Sequence, residues 1–411
     1  MTTDDAIIQS RAYVRETDQA AVQRIWREVG WIDKDNQTHL DDFLADGDVL
    51  LATLDDEPEC AVVTVPGTLR LQSVDLPLCA VTAVTTSRVA RGRGMARRLT
   101  ALQLAKAAKK GAAVAALGMF DQGFYDQLGF GSGSYAHDFR FDPASLTVDV
   151  CRRTPRRLTC EDYQQMHAAM VARHKLNGAV VLDSSLMLKA ELAWVEDGFG
   201  LGFGDTRLTH FLWLAPKGDH GPYSVRFMAY ENADQLIELL GMLKAMADQV
   251  YSVRMLEPPE ILLQDLLRRP FRNQALTKGS EFMSQHTAEA YWQMRILDLS
   301  RCVAAFRSFG EAFQVNLHLT DELAMSLPEG AWSGVAGTYV LSFGATSSAV
   351  SGYDNALPVL SCTVNAFTRW LWGVAPASRL AITDQFRAEP SVLMALDLVN
   401  PLAAPQPGWD F

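Results

Sequence analysis

Two short stretches carry residue types whose spacing points to chemistry. The first is 81–98, VTAVTTSRVARGRGMARR, in which an uncharged, β-branched segment runs into the turn Arg91-Gly92-Arg93-Gly94-Met95-Ala96. A helix pattern begins inside that turn. The order [Arg/Gln]-x-x-Gly-x-[Gly/Ala] is met by Arg91, Gly94 and Ala96. Glycine and alanine let backbone N–H groups approach a pyrophosphate closely, and a helix N-terminus adds partial positive charge. Arginines in the first turn of a helix oppose its dipole, a local cost that an anion seated there would offset. An ordinary basic turn is the competing reading.

The second stretch is 118–131, GMFDQGFYDQLGFG, a strand end followed by a short helix around Phe124-Tyr125-Asp126. A tyrosine one short helix beyond that strand can reach the mouth between it and the strand at 78–86. A phenol, pKa ~10, can protonate a departing thiolate, pKa ~8.5. A buried core tyrosine is the alternative for Tyr125.

Other nucleotide folds fit less well. A dinucleotide fingerprint needs a third glycine where Arg97 stands, and a phosphate loop of the Walker type needs Gly-Lys-[Ser/Thr], which does not follow. Gly198 to Gly204 alternates glycine with apolar residues but precedes no helix pattern, so it reads as a hairpin or loop. Eight histidines and six scattered cysteines form no metal-ligand spacing, so no metal is expected.

Positioning these stretches requires an α/β scaffold. Residues 18–30 predict a helix with Ala21, Val22, Ile25, Trp26 and Val29 on one face, Asp18 as N-cap and Gly30 beyond its end. Residues 48–54 and 60–65 predict a hairpin around Asp55-Asp56-Glu57-Pro58, and 78–86 a third strand. A helix over 94–110 follows, with Met95, Leu99, Leu102 and Ala105 inward, then a strand over 112–118. The basic segment 142–157 reads as a solvated linker. A second α/β region follows, with helices over 161–176, 184–196 and 232–249 and strands over 208–215, 223–230 and 250–255. It repeats the order of the first region without a basic glycine turn. From about 290 the texture changes again, with strands in YWQMRILDL and FQVNLHLTD and a strand entering a helix near 360. The proline-rich tail 400–411 is either disordered or docked through its last aromatics.

At roughly 100–200 residues per domain, 411 residues predict two to four domains. The 37 basic and 48 acidic residues leave a net charge of −11, which disfavours nucleic acid and suits a cationic or neutral small molecule. Scattered cysteines, no basic-apolar leader and no apolar run of ~20 residues predict a cytoplasmic protein without a membrane span.

Strand, Arg-Gly-Arg-Gly-Met-Ala, helix, strand and Phe-Tyr-x-x-Leu-Gly-Phe together resemble the Gcn5-related N-acetyltransferase superfamily. Val81 to Val84, the turn ending Arg93-Gly94-Met95, the motif Gly123, Tyr125, Gly129, Phe130, Gly131, the total length and Asp410-Phe411 are similar to the Eis (enhanced intracellular survival) family. That resemblance implies two tandem acetyltransferase-like domains, 1–148 and 149–288, then a sterol-carrier-protein-2-like domain, 289–411. It implies a homohexamer with one acetyl-CoA site per chain, in the first domain. Val84, Thr85 and Thr86 would bind acetyl-CoA through backbone groups, and Gly92, Arg93, Gly94, Met95, Ala96 and Arg97 would cradle its pyrophosphate. Phe120 and Asp121 would flank the pantetheine arm. Tyr125 would be the general acid and the α-carboxylate of Phe411 the general base. Glu28 and Asp410 would form an acidic substrate pocket walled by Trp26 and Trp31, with core tryptophans as the alternative. The turn departs from the family at Gly92, where another arginine is usual. The implied activity is acetylation of a primary amine on an aminoglycoside, lysine side chain or polyamine. A lipid- or acyl-binding protein working through the C-terminal region is the alternative.

Overall fold

The computed structural model describes residues 8–269 and 279–409. It divides into two compact units: Met1–Ser134 with Leu176–Ser184 and Tyr291–Phe411, and Tyr135–Lys175 with Ser185–Ala290.

The first unit is built on a sheet in the order β1 (Ile8–Ala12), β2 (Asp48–Leu54), β3 (Glu57–Leu71), β4 (Val74–Thr86), β5 (Val114–Gly118), then Trp292–Ile296 and β6 (Gly131–Ser132), with Val180–Leu182 added beside β3. Residues Cys60 to Val65 of β3 are buried without alternation, because helices cover both faces of the strand. Helix α1 (Arg15–Val29) turns Val22, Ile25 and Trp26 inward and ends at Gly30, and the short α2 (His39–Ala45) follows it. Helix α1 starts earlier than the sequence suggests. Asp18 is therefore inside the first turn, not its N-cap; its buried carboxylate accepts from the Val14 N–H at 2.8 Å and pairs with Arg11 at 2.6 Å. Helix α3 (Met95–Lys109) buries Met95, Leu99, Ala101 and Leu104. Its Gln103 side chain donates to the strand carbonyls of Asp48 and Val62, at 2.6 and 3.3 Å.

The second unit repeats the pattern. Its sheet runs Gln285–Glu289, Ala136–Phe141, Val253–Leu256, Tyr223–Ala229, His210–Ala215, Phe199–Phe203, Arg156–Leu158. The pair Tyr223–Ala229 and Val253–Leu256 is parallel, linked by the helix Ala233–Ala245. The glycine run at 198–204 supplies Phe199–Phe203, a hairpin strand against His210–Ala215. The chain thus carries two α/β sheets in tandem, each with one short parallel strand pair joined through a helix. A further sheet, Ser348–Ser351, Gly337–Phe343, Phe313–Thr320, Val359–Thr363, Phe386–Ala388, belongs to the first unit.

The two units interleave along the chain. Ala136–Phe141 joins the second sheet, whereas Leu176–Ser184 and Trp292–Ile296 join the first. A polar linker marks where the chain is solvated; it does not record which sheet a flanking strand pairs with. Among the described residues all six cysteines are free, and no helix is long and apolar enough to cross a membrane.

The inserted strand Trp292–Ile296 brings Arg295 into the core with no exposed surface. Its guanidinium meets Asp321, equally buried, at 2.7 Å, and donates to the Leu128 carbonyl. Burial lowers the Arg295 pKa and the Asp321 charge opposes that. Asp321 also accepts from the backbone N–H groups of Val335 and Leu323. Gly129 is required at this contact: its φ is +80°, and any Cβ would strike the Arg295 guanidinium. Asp321→Ala should lower stability by about 3–5 kcal/mol, because it strands a buried cation. Thermal unfolding should show that loss, and Arg295→Met with Asp321→Leu should recover most of it. A double variant as unstable as the single one would assign the loss to shape instead of charge.

Candidate functional site

The site begins where two strands part. β4 pairs in parallel with β5 only from Leu78↔Val114 to Val81↔Leu117. Beyond Val81, β4 continues against β3 as far as Thr86, opposite Cys60. Its register against β3 slips at the same place, leaving Thr82 as the extra residue of a bulge. Bulges bend a strand and increase its twist, which carries β4 away from β5. Thr82 to Thr86 therefore have no β5 partner, and an open strand edge offers N–H and C=O groups to a ligand.

A cavity of ≈ 210 Å³ opens at this point, lined by Trp31, Val81, Thr82, Ala83, Val84, Gly118, Met119, Phe120, Tyr125 and Tyr291. Val84 lines it. Thr85 is buried with its hydroxyl 3.4 Å from the Ala61 carbonyl, and the Thr86 hydroxyl donates to the Cys60 sulfur at 3.3 Å.

From Thr86 the chain passes Arg88–Ala90 into the turn at 91–94. Gly92 and Gly94 have φ of +77° and +73°, and a Cβ on either would meet open space. Glycine is thus needed for backbone conformation, and the turn's outer side is free for an approaching group. Gly94 caps α3 with no side-chain acceptor for the helix N–H groups, and no acidic residue occupies the first turn. Among the described residues the side chains of Arg91 and Arg93 make no hydrogen bond or ion pair, and both are exposed. Arg97 is engaged, with Ser326 and Gln127 at 3.0 Å each. Met95 is buried and Ala96 half-buried. An uncapped, positively flanked helix start beside an open strand edge suits a ligand with a phosphate end and an amide-bearing arm.

Tyr125 sits on α4 (Gln122–Asp126), whose N-cap is Asp121, accepting from the Phe124 N–H at 3.3 Å. Its ring is buried among Phe120, Phe124 and Phe130. Its hydroxyl has no hydrogen-bond partner among the described residues, and Tyr125 lines the cavity. Burial raises its pKa above the usual tyrosine value, and Asp121 adds to that. Phe120 is exposed at the cavity mouth.

The expected substrate-side residues separate. Trp31 lines the cavity and is half-exposed, whereas Trp26 is buried edge-on between Trp31 and Phe43. Glu28 accepts from the Arg88 N–H at 2.9 Å and from Arg24 at 3.1 Å; the Arg88 bond, then Arg24, lowers its pKa. Glu28 does not line the cavity. Asp410 and Phe411 lie outside the described residues.

One wall was not foreseen. Tyr291 lines the cavity, its carbonyl accepts from the Met119 N–H at 2.8 Å, and its hydroxyl donates to the Trp409 carbonyl at 2.9 Å. The tail is docked through that residue. Gln406 N–H donates to Asn177, Val180 N–H donates to Pro407, and Ser134 donates to the Pro405 carbonyl. Nothing near Tyr291 in the sequence signals this role; the contact joins segments more than a hundred residues apart.

Residues 8–133 match the family described as acetyltransferase (GNAT) domain. Three solved structures share the fold over nearly their whole length. A probable N-acyltransferase of unknown function from Enterococcus faecalis V583 is 14% identical, with 99% of this chain and 100% of that one covered and a TM-score of 0.79. Eis1 from Mycobacterium abscessus is 17% identical, with 98% and 100% covered and a TM-score of 0.76. A GCN5-related N-acetyltransferase from Kribbella flavida is 20% identical, with 98% and 99% covered and a TM-score of 0.74. No curated protein sequence matches the chain.

The turn makes a separable prediction. Gly94→Ala should cost about 1–2 kcal/mol of stability, the penalty for a left-handed alanine, read by denaturant unfolding. Arg93→Ala should stay within about 0.5 kcal/mol of the parent yet weaken inorganic pyrophosphate binding, measured by calorimetry. Equal pyrophosphate affinity in both proteins would remove Arg93 from the anion site.

Proposed function

We propose that this N-acetyltransferase moves the acetyl group of acetyl-CoA directly onto a primary amine. The observation that carries the reading is the open edge of β4 after Val81, flanked by the uncapped start of α3 at one end and by Tyr125 at the other. The backbone of Val84, Thr85 and Thr86 would bond the pantetheine amides. Gly92, Arg93, Gly94, Met95, Ala96 and Arg97 would receive the pyrophosphate, with Arg91 adding charge. Phe120 and Asp121 would flank the arm's end.

The neutral amine attacks the thioester carbonyl and gives up a proton. The tetrahedral intermediate collapses, the carbon–sulfur bond breaks, and the thiolate takes the Tyr125 proton. A free thiol titrates near ~8.5, but a thiolate released into the same apolar cavity is also raised by burial, which brings donor and acceptor closer. For the base, the family resemblance proposes the α-carboxylate of Phe411. Its support is that Trp409, two residues before Phe411, is held by the cavity-lining Tyr291. The same resemblance proposes a sterol-carrier-like fold for the C-terminal sheet and a homohexamer.

Tyr125→Phe should reduce kcat about 100-fold, within the range for a lost general acid, with acetyl-CoA affinity unchanged; thiol release and calorimetry check the two. Full turnover by that variant would eliminate Tyr125 as the acid. With the parent enzyme, kcat/KM should rise from pH 7 toward pH 9.5 as the amine loses its proton. Because the Tyr125 pKa is raised, its proton stays in place throughout, and the decline from its ionisation should begin only above pH ~10. Removal of Phe411 should lower kcat at least about tenfold if its carboxylate accepts the amine proton.

A further inference from the structure

We propose that Asn365 is a positioning residue for the acetyl transfer: it clamps the two ends of the turn that carries Tyr125 and so sets where the phenol stands. The proposal rests on the reading of Tyr125 as the general acid and deepens it.

The clamp is a single side chain. Asn365 is the second residue of the helix Val364–Leu371, whose cap is Thr363. A carboxamide nitrogen has two N–H donors. One goes to the Asp126 carbonyl at 2.9 Å and the other to the Phe130 carbonyl at 2.8 Å. Asp126 is the last residue of α4 and follows Tyr125 directly. Phe130 is fully buried, and its ring meets the Tyr125 ring edge-on, with centroids 6.1 Å apart. One end of the turn carries the phenol and the other the ring that backs it. Both are tied to a residue 239 positions beyond Asp126 in the chain.

The packing of that helix is an independent sign. A Cβ on Gly131 would come within 2.6 Å of the Asn365 backbone carbonyl and 2.7 Å of the Arg369 side chain. One on Gly129 would come within 2.8 Å of the Val364 side chain. These two glycines therefore let the helix close on the segment after Tyr125. Arg369, one turn further along the helix, donates to the Ser132 carbonyl at 3.1 Å.

Local bonds set the shape of the turn but not its place. The Tyr125 carbonyl accepts from the Leu128 N–H at 2.9 Å and from the Phe130 N–H at 3.3 Å, all within the turn. Asn365 is half-buried, so water can bond either carbonyl in its absence. The fold should survive its loss, unlike the loss of one partner of the buried Arg295 pair. Separate waters satisfy both acceptors without fixing the distance between them. A proton donor must stand about 2.6–3.2 Å from its acceptor, and a misplacement of ~1 Å costs up to about 100-fold.

The test uses the full chain and thiol release from acetyl-CoA. Spermine, kanamycin and phenethylamine are tried as acceptors and the best is kept. Asn365→Asp keeps the shape but, ionised at neutral pH, has no donor; Asn365→Ala removes the group. Both should lower kcat at least about fivefold, short of the roughly 100-fold limit for a misplaced group. Acetyl-CoA affinity, read by calorimetry, should stay within about twofold of the parent, since no cofactor contact is removed. In a Tyr125→Phe background the same substitutions should change kcat less than about twofold, because the phenol they act through is gone. An equal loss of kcat in both backgrounds would overturn the proposal, as would full turnover by Asn365→Asp. Loss of acetyl-CoA affinity or of the folded state in both variants would assign Asn365 to the fold instead. No turnover by the parent, or full turnover by Tyr125→Phe, would overturn the acid reading and the proposal with it.

Discussion

A guanidinium with no exposed surface holds the first unit's site to its C-terminal sheet. Arg295 joins Asp321 and the Leu128 carbonyl, which places the end of the α4 turn, the next-to-last strand of the first sheet and the entry to the C-terminal region around one buried charge. A buried ion pair need not be a net source of stability, but removing either partner is costly, so the three segments are constrained to arrive together. The direction of Tyr125 follows from this. Its carbonyl accepts from the Phe130 N–H, and Phe130's own carbonyl accepts from Asn365. The turn bearing the phenol is thus fixed from below by residues far along the chain. A site built on a two-residue strand and a five-residue helix would have little rigidity of its own.

The second unit offers a control within the same molecule. There, too, a strand pairs in parallel with its neighbour for only a short stretch, from Tyr223↔Val253 to Ser224↔Arg254, and a helix links the two. Yet the helix Ala233–Ala245 begins at Asn232, whose side chain accepts from the Gln235 N–H, and Asp234 occupies its first turn. The capping oxygen fills the position an anion would need, and the aspartate would repel one. Beyond the strand, the Tyr230 carbonyl already accepts from His174. Shared topology thus goes with two different helix starts. The first unit differs by leaving a helix start uncapped and surrounding it with arginine.

The pattern of success in reading the sequence follows the range of the interactions. The basic glycine turn, the helix after it and the short helix of Tyr125 were legible because capping, glycine conformation and apolar spacing act within a few residues. The 198–204 run was legible as a hairpin for the same reason. Asp18 differs from the expected cap because a carboxylate inside the first turn can reach back to an earlier N–H as readily as one at the cap. Trp292–Ile296 reads equally well as a strand of any sheet, and only long-range pairing with β5 assigns it to the first. Tyr291 and the docked tail depend on contacts across more than a hundred residues, for which no local pattern exists.

Net charge shows the same limit. A value of −11 invites the picture of an acidic pocket collecting cations. At the site, however, what matters is which carboxylates remain uncompensated. Arg24 stands between Glu28 and Glu59, and the Arg88 backbone takes a second oxygen of Glu28, so these anions position α1 against the start of the basic turn. Their effect is structural: they orient the segment that carries Trp31 to the cavity edge. Long-range attraction still favours approach of a cation to an acidic protein.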